Sequence, residues 1–370
     1  MNTTHAVAGI DPHKRTATVA IVDVLGVKVT SLSFPVTKFG IDALTALLTD
    51  SGLTIDRIGV EGSGGLGRPV MLALAAAGHD VREVQANRTA ERRKRRRRAK
   101  TDIDDAEAIA RETLADPDLP PAGKNHTPPP AADQLAAVRD WRESLVLQRV
   151  RLLTEAEAVL VSLPLHLREQ LPASSRVAAS LDRLAQLDDI GADLGAADRV
   201  KLDRLTQTRA DIDTIGARIK ELDAEVPALL KALGCTLTDI HGVGVVTAMT
   251  LMTEIGNAHR FTTQGRFARW CGVAPVALSS GEGDDPPRRH RLDLGGNRRV
   301  NSVLHIVHVT QARCHPPAQA YMTKRETENK SKRAARRAHK RQLANVIIRH
   351  MWNDADRLAQ ASSASSSTAA

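Results

Sequence analysis

The sequence contains few residues of the kinds that stack on bases or cross-link a chain. Aromatic residues make up 2% of its 370 residues, and Tyr321 is the single tyrosine. Proteins that bind single strands without sequence preference stack bases on several aromatic side chains, so that class is excluded. The three cysteines, Cys235, Cys271 and Cys314, are far apart and form no C-x-x-C pair. We therefore expect a reducing cytoplasmic compartment, with neither a disulfide framework nor a zinc ribbon.

Long apolar runs are also missing. No stretch approaches the roughly 20 apolar residues of a membrane-spanning helix, and the N-terminal residues show no leader pattern of charged and then apolar residues. The chain is instead basic, since 52 Lys and Arg against 43 Asp and Glu give a net charge of +9 at pH 7. A basic chain favours nucleic acid over a membrane as its partner, and it binds mainly through phosphates. Phosphate contacts carry no base information, so we expect little sequence choice from the protein itself.

Residues 1–116 are predicted to form an α/β domain with a sheet of mixed direction. β-branched residues indicate two strands over 6–23, around the turn "DPHK", and a third strand over 27–37. A helix is expected over 40–52 and a short buried strand over 57–65. One more helix and strand follow, and "DIDDAEAIARETLA" then has helical spacing. Three strands followed by alternating helices and strands are typical of an α/β fold.

The next part of the chain is predicted to be helical. The proline-rich residues 117–133 are expected to form a linker, and residues 134–234 a helical coiled-coil region. Apolar residues recur there at intervals of seven, for example at Leu205, Ile212 and Ile219. The repeat leaves two interpretations open, a helical hairpin within one chain and a dimerisation arm.

Residues 235–352 are predicted to form a third, mostly helical unit with basic C-terminal helices, and the low-complexity residues 353–370 a disordered tail. The stretch "HGVGVV" around Gly242 and Gly244 resembles the turn of a helix-hairpin-helix element. In that element glycines let the backbone approach a phosphate, and the next helix offers its N-terminal amides.

Four acids are the candidate metal ligands. Asp11 ends the first predicted strand and Glu61 the short buried one, while Asp102 and Asp105 lie three apart at a helix start and share one face. Carboxylates from two strand ends and a helix hold paired Mg²⁺ ions in ribonuclease-H-like (RuvC-like) sheets. Two such ions, about 4 Å apart, clamp the attacking and leaving oxygens of a phosphodiester. Because four like charges would repel without cations, the sequence predicts Mg²⁺, two per site.

Basic residues cluster in two parts of the sequence, directly before the acidic helix and over residues 288–299. The run "RRKRRRR" directly precedes the acidic helix, and we expect it to hold a nucleic-acid backbone beside the metal ions. Asp104 lies on a different helix face from Asp102 and Asp105, so it is left out of the site. The candidate nucleic-acid-binding residues are Arg92, Arg93, Lys94, Arg95, Arg96, Arg97, Arg98, Lys100, Arg288, Arg289, Arg291, Arg298 and Arg299.

Two blocks of sequence resemble a known family. "GIDPHK", "VEGSGG" and "KTDIDDA" resemble the Asp-Glu-Asp-Asp set of the insertion-sequence transposases related to the pilin-gene invertase. "LTDIHGVGVVTAMTLMTEIGN", "WCGVAPVALSSGEG" and "GGNRRVNSVL" resemble the second conserved domain of that family. The resemblance covers roughly residues 5–115 and 235–350, and two independent blocks in the right order make it specific.

The resemblance implies a DNA recombinase with a RuvC-like acidic domain and a transposase domain that carries a serine nucleophile. The family's serine precedes a glycine, which points to Ser280, with the adjacent Ser279 as the alternative. It also implies double-stranded donor and target DNA, Mg²⁺, and a structured bridge RNA that selects both sites by base pairing. A dimer or tetramer in the cytoplasm, associated with the nucleoid, would follow. The loop departs from the family pattern, since acids and prolines follow the serine in "GEGDDPPRRHR".

Other functions remain open on the residues alone. A metal-dependent RuvC-like nuclease or junction resolvase would use the same acids without serine chemistry, and an inactive basic scaffold would use neither. A tyrosine recombinase built on Tyr321 is disfavoured because it would not need the acids. His305, His308, Cys314 and His315 offer zinc ligands in principle, but the apolar helix pattern around them favours packed or solvent-facing histidines.

Overall fold

A computed structural model describes most of the chain. The described residues are 4–50, 52–85, 101–123, 130–172, 176–186, 194–278, 289–292, 296–328 and 331–368. They group into two compact units, one of residues 1–128 together with 254–370, and one of residues 129–253. Within these ranges, no helix is long and apolar enough to cross a membrane.

The described elements are seven strands and twelve helices. The strands are β1 (Thr4–Pro12), β2 (Thr16–Asp23), β3 (Lys28–Pro35), β4 (Leu53–Glu61), β5 (Val81–Val84), β6 (Pro275–Leu278) and β7 (Arg289–Leu292). The helices are α1 (Lys38–Asp50), α2 (Arg68–Ala76), α3 (Asp102–Ala115), α4 (Pro130–Val161), α5 (Leu165–Arg168), α6 (Val177–Leu184), α7 (Ala196–Ala232), α8 (Val245–Ile255), α9 (Gln264–Trp270), α10 (Arg298–Cys314), α11 (Pro316–Thr327) and α12 (Lys332–Thr368). Two short 3-10 turns lie at Leu237–Asp239 and Ala258–Arg260.

The first five strands form one mixed sheet in the order β3-β2-β1-β4-β5. Strand β2 runs antiparallel to both β1 and β3, whereas β4 runs parallel to β1 and β5 parallel to β4. The core of this sheet is built from β-branched residues such as Ile10, Val19 and Val60, each fully buried. The five-stranded sheet, with α1 between β3 and β4 and α2 between β4 and β5, confirms the predicted α/β domain with a sheet of mixed direction.

Helix α3 packs directly on the backbone of β1 and β4. Gly9 and Gly59 are paired in register on these two strands. A Cβ atom on Gly9 would lie 2.1 Å from the amide nitrogen of Ala110, and one on Gly59 would lie 1.9 Å from Oγ1 of Thr113. Only glycine allows this close approach, which fixes the height of α3 above the sheet.

The start of the predicted linker belongs to the sheet domain. Leu119 and Ala122 are buried, the amide of Glu83 donates to Pro120 O at 2.9 Å, and the amide of Ala122 donates to Val81 O at 2.8 Å. Residues 119–122 therefore extend the edge at β5, a position where a proline is tolerated because an edge strand has a side without ladder bonds. The sequence placed this stretch in the linker because proline and glycine dominate its composition.

The unit of residues 129–253 is helical. Helices α4 and α7 pack side by side, and the ion pairs Arg142–Asp223 (2.5 Å) and Arg204–Glu155 (3.5 Å) show that they run antiparallel. The seven-residue positions of α7 are buried at Leu205, Ile212, Ile219, Val226 and Leu233. The apolar repeat is thus buried in a helical hairpin formed within one chain.

One aromatic residue of this unit is not part of its core, and one finer sequence prediction is not confirmed. Trp141 of α4 is half exposed, and the guanidinium of Arg218 lies 5.6 Å from the centroid of its ring. The turn at Gly242 has φ +83°, but the element before it, Leu237–Asp239, is a single 3-10 turn. A helix-hairpin-helix element with two full helices is therefore not seen at this turn.

The described residues of 254–370 form a small helical bundle with a two-stranded sheet. Helices α9, α10 and α11 pack against the long α12, where Ala344, Ile347 and Ile348 are fully buried. Helix α12 continues to Thr368, where the sequence predicted a disordered tail over 353–370. The segment is rich in alanine, the strongest helix former, which explains why the helix runs on.

Candidate metal and catalytic site

Two of the four predicted acids lie at adjacent strand ends. Asp11 is the last residue but one of β1, and Glu61 ends β4. Ile10 pairs with Val60 in the parallel ladder, so the next residues of both strands reach the same edge of the sheet. Because neighbouring parallel strands end side by side, both carboxylates stand at one end of the sheet. The side chain of Asp11 is 14% exposed.

Helix α3 brings the other two acids to the same place. It begins at Asp102, and Thr101 caps it by accepting a hydrogen bond from the amide of Asp104 at 3.2 Å. Asp105 faces the sheet and is 4% exposed, whereas Asp102 is largely exposed. The carboxylate of Asp104 accepts a hydrogen bond from Thr101 Oγ1 at 2.6 Å, so it serves the cap of the helix.

The charges of these acids act on one another. The pKa of Asp11 is raised above its ordinary value, first by burial and then by the charges of Asp105 and Glu61, while His13 opposes the rise. Burial and like charge both disfavour an ionised carboxyl group. The shift shows that Asp11, Glu61 and Asp105 share one electrostatic environment, as the sequence predicted for a cation site.

His13 joins this cluster, although the sequence analysis treated it as a turn residue. It opens the short connection between β1 and β2, where its amide donates to Thr16 O at 2.7 Å. Its Nε2 atom lies 3.1 Å from Asp11 Oδ2 and 3.3 Å from Asp102 Oδ1. The ligand atoms of Asp11, His13 and Asp102 all lie within 4.8 Å of one another. The sequence offered no clear signal for this role, because His13 lies in the connection after β1 and a histidine in a turn has many uses.

The predicted nucleophiles and the strongly basic run lie outside the described residues. Ser279 and Ser280 belong to the connection between β6 and β7, and Arg92 to Lys100 precede α3. The two ends of the serine connection are described, since Leu278 pairs with Arg289 in the antiparallel β6–β7 ladder. The structure therefore locates where this connection leaves and re-enters the fold.

A network of polar side chains holds the base of that hairpin. Asn297 caps α10 by accepting from the amide of Val300 at 2.9 Å, and its Nδ2 donates to Glu254 Oε2 at 2.9 Å. Glu254 is 4% exposed and also pairs with Arg299 at 3.2 Å. We call Glu254, Asn297 and Arg299 the hairpin-base network. The sequence predicted Arg299 to contact phosphate, but it did not predict this network, since no repeat connects the separate segments that supply its members.

The same base is braced from two further sides. Asn301 Nδ2 donates to Cys271 O at 2.9 Å, and Lys340 Nζ donates to Asn301 Oδ1 at 2.6 Å. A Cβ atom on Gly296 would lie 2.3 Å from the amide nitrogen of Gly272, so the chain passes backbone to backbone here. Through Asn301, these hydrogen bonds connect Lys340 of α12 to Cys271, which lies shortly before β6.

The predicted phosphate-binding arginines outside the basic run are found in different settings. Arg288 lies outside the described residues, and Arg289 and Arg291 belong to β7. Arg298 is exposed at the start of α10, and Arg299 is half exposed but paired with Glu254. Their roles in binding nucleic acid stay predictions.

The histidines considered as zinc ligands are packed or solvent-facing, since His308 is buried and His305 is exposed. His308 is 6% exposed, and its Nδ1 lies 2.9 Å from Nδ1 of His339. Burial, followed by the nearby His339, lowers the pKa of His308 to about 4, so both rings are neutral at pH 7. Tyr321 accepts a hydrogen bond from Arg325 Nε at 3.1 Å. Among the residues that the structure describes, the group with metal-ligand spacing is Asp11, His13 and Asp102.

Comparison with known proteins identifies two segments. A family model described as "Transposase", for the Asp-Glu-Asp-Asp transposases of IS110 elements, matches residues 8–163. A second model, described as "Transposase IS116/IS110/IS902 family", matches residues 235–323. The first contains all four acids, and the second contains Ser279 and Ser280.

Curated relatives match over shorter stretches. An IS110 insertion-element protein of Streptomyces coelicolor is 30% identical over 134 residues, which cover 35% of this chain and 32% of that protein. A protein named as a probable family 20 transposase of Pseudomonas aeruginosa is 25% identical over 186 residues, 49% of this chain and 51% of that protein. The matches thus span between a third and a half of these relatives. A solved structure of T. thermophilus RuvC in complex with a Holliday junction substrate aligns with 29% of this chain and 90% of that chain, at 17% identity and a TM-score of 0.23.

Proposed function

We propose that this chain, which belongs to the IS110 family of transposases, is a site-specific DNA recombinase of an insertion sequence. The observation that carries the proposal is the meeting of Asp11 and Glu61 from two strand ends with Asp102 and Asp105 from α3. Phosphodiester chemistry needs developing negative charge to be neutralised, and a carboxylate cage for divalent cations supplies that.

The residues of the acidic cluster suit Mg²⁺. A hard cation takes oxygen ligands, and the cluster offers four carboxylates, of which Asp105 is buried and Asp11 nearly so. Burial, and after it the charges of Asp105 and Glu61, raise the pKa of Asp11, and a bound cation would offset both effects. Asp11, Glu61, Asp102 and Asp105 would hold the ions, two per site. Bound there, the ions would polarise the scissile phosphate and stabilise the leaving oxygen.

The nucleophile in this proposal is Ser280, with Ser279 as the alternative. The serine hydroxyl oxygen forms a bond to phosphorus as the bond from phosphorus to the leaving DNA oxygen breaks. The serine proton ends on the freed DNA hydroxyl, so the strand is held as a phosphoserine ester. Attack by a second DNA hydroxyl on that ester reverses the step and joins the new strand.

The partners proposed are double-stranded donor and target DNA and a structured bridge RNA. The support is the run Arg92 to Lys100, directly before the acidic helix, together with a 2% aromatic content that provides few stacking surfaces. Base pairing with the RNA would supply the sequence choice that phosphate contacts cannot. Exchange between two duplexes requires a dimer or tetramer, associated in the cell with the nucleoid.

A second function is favoured by one observation. The four acids all belong to residues 1–128, whereas Ser279 and Ser280 belong to a later segment of the chain. A metal-dependent RuvC-like nuclease or junction resolvase would need this domain alone. An inactive basic scaffold is the remaining alternative, and it would need neither acids nor serine.

The test is strand exchange on labelled DNA, with denaturing gels to detect a covalent protein–DNA adduct. We expect the adduct with wild-type protein and with Ser279→Ala, and its loss with Ser280→Ala. Full exchange by Ser280→Ala without any adduct would contradict the recombinase, and hydrolysis that persists in Ser280→Ala would favour the nuclease. Activity of Asp11→Asn equal to wild type would contradict both enzymes.

A further inference from the structure

We propose that His13 is a nitrogen ligand of one cation in the acidic cluster, and that it makes this position selective for Mn²⁺ over Mg²⁺. The inference rests on the proposed function, because it assumes that the acids bind divalent cations. It adds a fifth side chain to a cage that the sequence predicted from carboxylates alone.

The first support is the position of one nitrogen between two carboxylates. Nε2 of His13 lies 3.1 Å from Asp11 Oδ2 and 3.3 Å from Asp102 Oδ1. Adjacent ligands of an octahedral ion with bonds of about 2.1 Å are separated by about 3 Å. The two observed separations therefore match adjacent positions on a single ion.

The second support is that one hydrogen bond from Nε2 of His13 can serve only one of the two nearby carboxylates. Nε2 carries at most one proton, which can point directly at only one of the two carboxylate oxygens. A cation that contacts all three atoms would interact favourably with both carboxylate oxygens and with the lone pair of Nε2 at the same time. The neutral imidazole is also the form in which histidine binds metals.

The third support is how the chain holds His13. Asp11 and Pro12 pair with Thr18 and Ala17 of β2, and the amide of His13 donates to Thr16 O at 2.7 Å. The connection between the two strands is thus only three residues long, His13 to Arg15. A ligand on so short a connection is positioned by the strands on either side.

The choice of ion follows from the nitrogen. Mg²⁺ prefers oxygen ligands and keeps its water molecules, whereas transition-metal ions accept imidazole nitrogen more readily. Mn²⁺ combines this with a preference for carboxylates close to that of Mg²⁺. A position with Asp11, Asp102 and His13 therefore favours Mn²⁺, while an oxygen-only position favours Mg²⁺.

The experiment measures the ligands of Mn²⁺ directly, without catalysis. Mn²⁺ is added at one equivalent to the full chain, and electron spin echo envelope modulation detects nitrogen bound to the ion. We expect ¹⁴N modulation in wild-type protein and its loss in His13→Gln. Titration calorimetry should show Mn²⁺ affinity falling about tenfold in His13→Gln, with the Mg²⁺ affinity changed less than about threefold.

The matched control is His5→Gln. His5 lies near the opposite end of β1 and also pairs with a carboxylate, Asp56, at 2.7 Å. Its replacement should leave the modulation and both affinities unchanged. A second variant, His13→Asp, restores an oxygen ligand, so Mn²⁺ should bind without ¹⁴N modulation and with a smaller preference over Mg²⁺.

The outcomes separate this inference from the proposed function. Modulation that survives in His13→Gln, or is absent from wild-type protein with Mn²⁺ bound, overturns the role of His13 and leaves the carboxylate site standing. Mn²⁺ affinity that is unaffected by Asp11→Asn, or no Mn²⁺ binding by wild-type protein, overturns the carboxylate site itself.

Discussion

The acidic end of the five-stranded sheet and the base of the β6–β7 hairpin are built in opposite ways. At the sheet, Asp11 and Glu61 are placed by strand register, and α3 is placed by backbone contact at Gly9 and Gly59. At the hairpin, buried polar side chains such as Glu254 and Asn297 do the positioning. One region depends on backbone geometry, and the other on a hydrogen-bond network.

The difference predicts how each region responds to change. Where a helix lies directly on a strand backbone, a glycine at the contact cannot be replaced by a larger residue. Side chains that point away from the contact can be replaced without disturbing it. A polar network has the reverse property, because each buried partner that is removed leaves another group without its bond. The following predictions test this contrast, in order of decreasing expected effect.

The largest effect is expected for Asp11→Asn. Loss of a charged ligand should lower strand cleavage by about 10³-fold or more, while the metal-free protein should unfold at the same or a higher urea concentration. The reason is that burial, together with repulsion from Asp105 and Glu61, disfavours the charge of Asp11 more than His13 favours it. Cleavage assays and urea unfolding without metal provide the measurement, with the exposed Asp42→Asn as control. Clear destabilisation of the metal-free variant would show that the acid has a structural role.

The next effect is expected for Gly9→Ala. The new Cβ atom would lie 2.1 Å from the amide nitrogen of Ala110, so α3 must move away from the sheet. Because backbone atoms cannot rotate away from the added atom, the free energy of unfolding should fall by about 3 kcal/mol or more, the upper end for overpacking. The control is Gly64→Ala, where no atom lies within 4 Å of the new Cβ. Equal urea midpoints for the two variants would contradict the backbone contact.

A smaller effect is expected from the hairpin-base network. Glu254→Ala should lower the free energy of unfolding by about 1–3 kcal/mol, because Asn297 Nδ2 loses its acceptor. A double-mutant cycle with Asn297→Ala should give a coupling energy of about 0.5–3 kcal/mol. The exposed Arg298→Ala serves as control, with a change within about 0.5 kcal/mol. Additive effects in the cycle would show that the two residues act independently.

The last prediction concerns pH, and the expected responses near His308 and near Asp11 have opposite signs. The pKa of His308 is about 4 in the folded chain, against about 6.5 for an unperturbed histidine. Below pH 6.5 the unfolded state therefore binds more protons, so stability falls as pH decreases from 6.5 towards 4. The groups that oppose protonation of His308 are His339, His305, Arg336 and Lys340.

Asp11 gives the contrasting response. Its raised pKa means that the metal-free folded state binds a proton more readily than the unfolded state. Its contribution to stability is present below the unfolded pKa and is lost as pH rises through the folded pKa. Hydrogen exchange of the metal-free chain between pH 7 and 5 should therefore show α10 and α12 opening more at the lower pH, with less change near β1. His308→Asn should flatten the response of α10.

Strand ends explain why much of the acidic site follows from sequence. β-branched residues mark β1 and β4, and an acid at the end of each parallel neighbour is brought to one edge by register alone. His13 did not follow, because a histidine in a turn has many uses, and only the fold shows that its ring turns back towards Asp102.

The contacts at the hairpin base could not be predicted in this way. Glu254 ends one helix region and Asn297 begins another, and no repeat connects them. Composition misled in two places: residues 119–122 have a loop's composition but pair at β5, and the alanine-rich C-terminal residues continue α12. In the first segment, packing against the sheet outweighs the presence of proline. In the second, the helix propensity of alanine outweighs the presence of serine.

The glycine pair beneath α3 has a consequence for the geometry of the acidic cluster. A Cβ atom added at Gly9 would meet the backbone of Ala110, and one added at Gly59 would meet the side chain of Thr113. A larger residue at either position would therefore push α3 away from the sheet, and with it Asp102 and Asp105. The spacing of the acids thus depends on two residues that have no side chain.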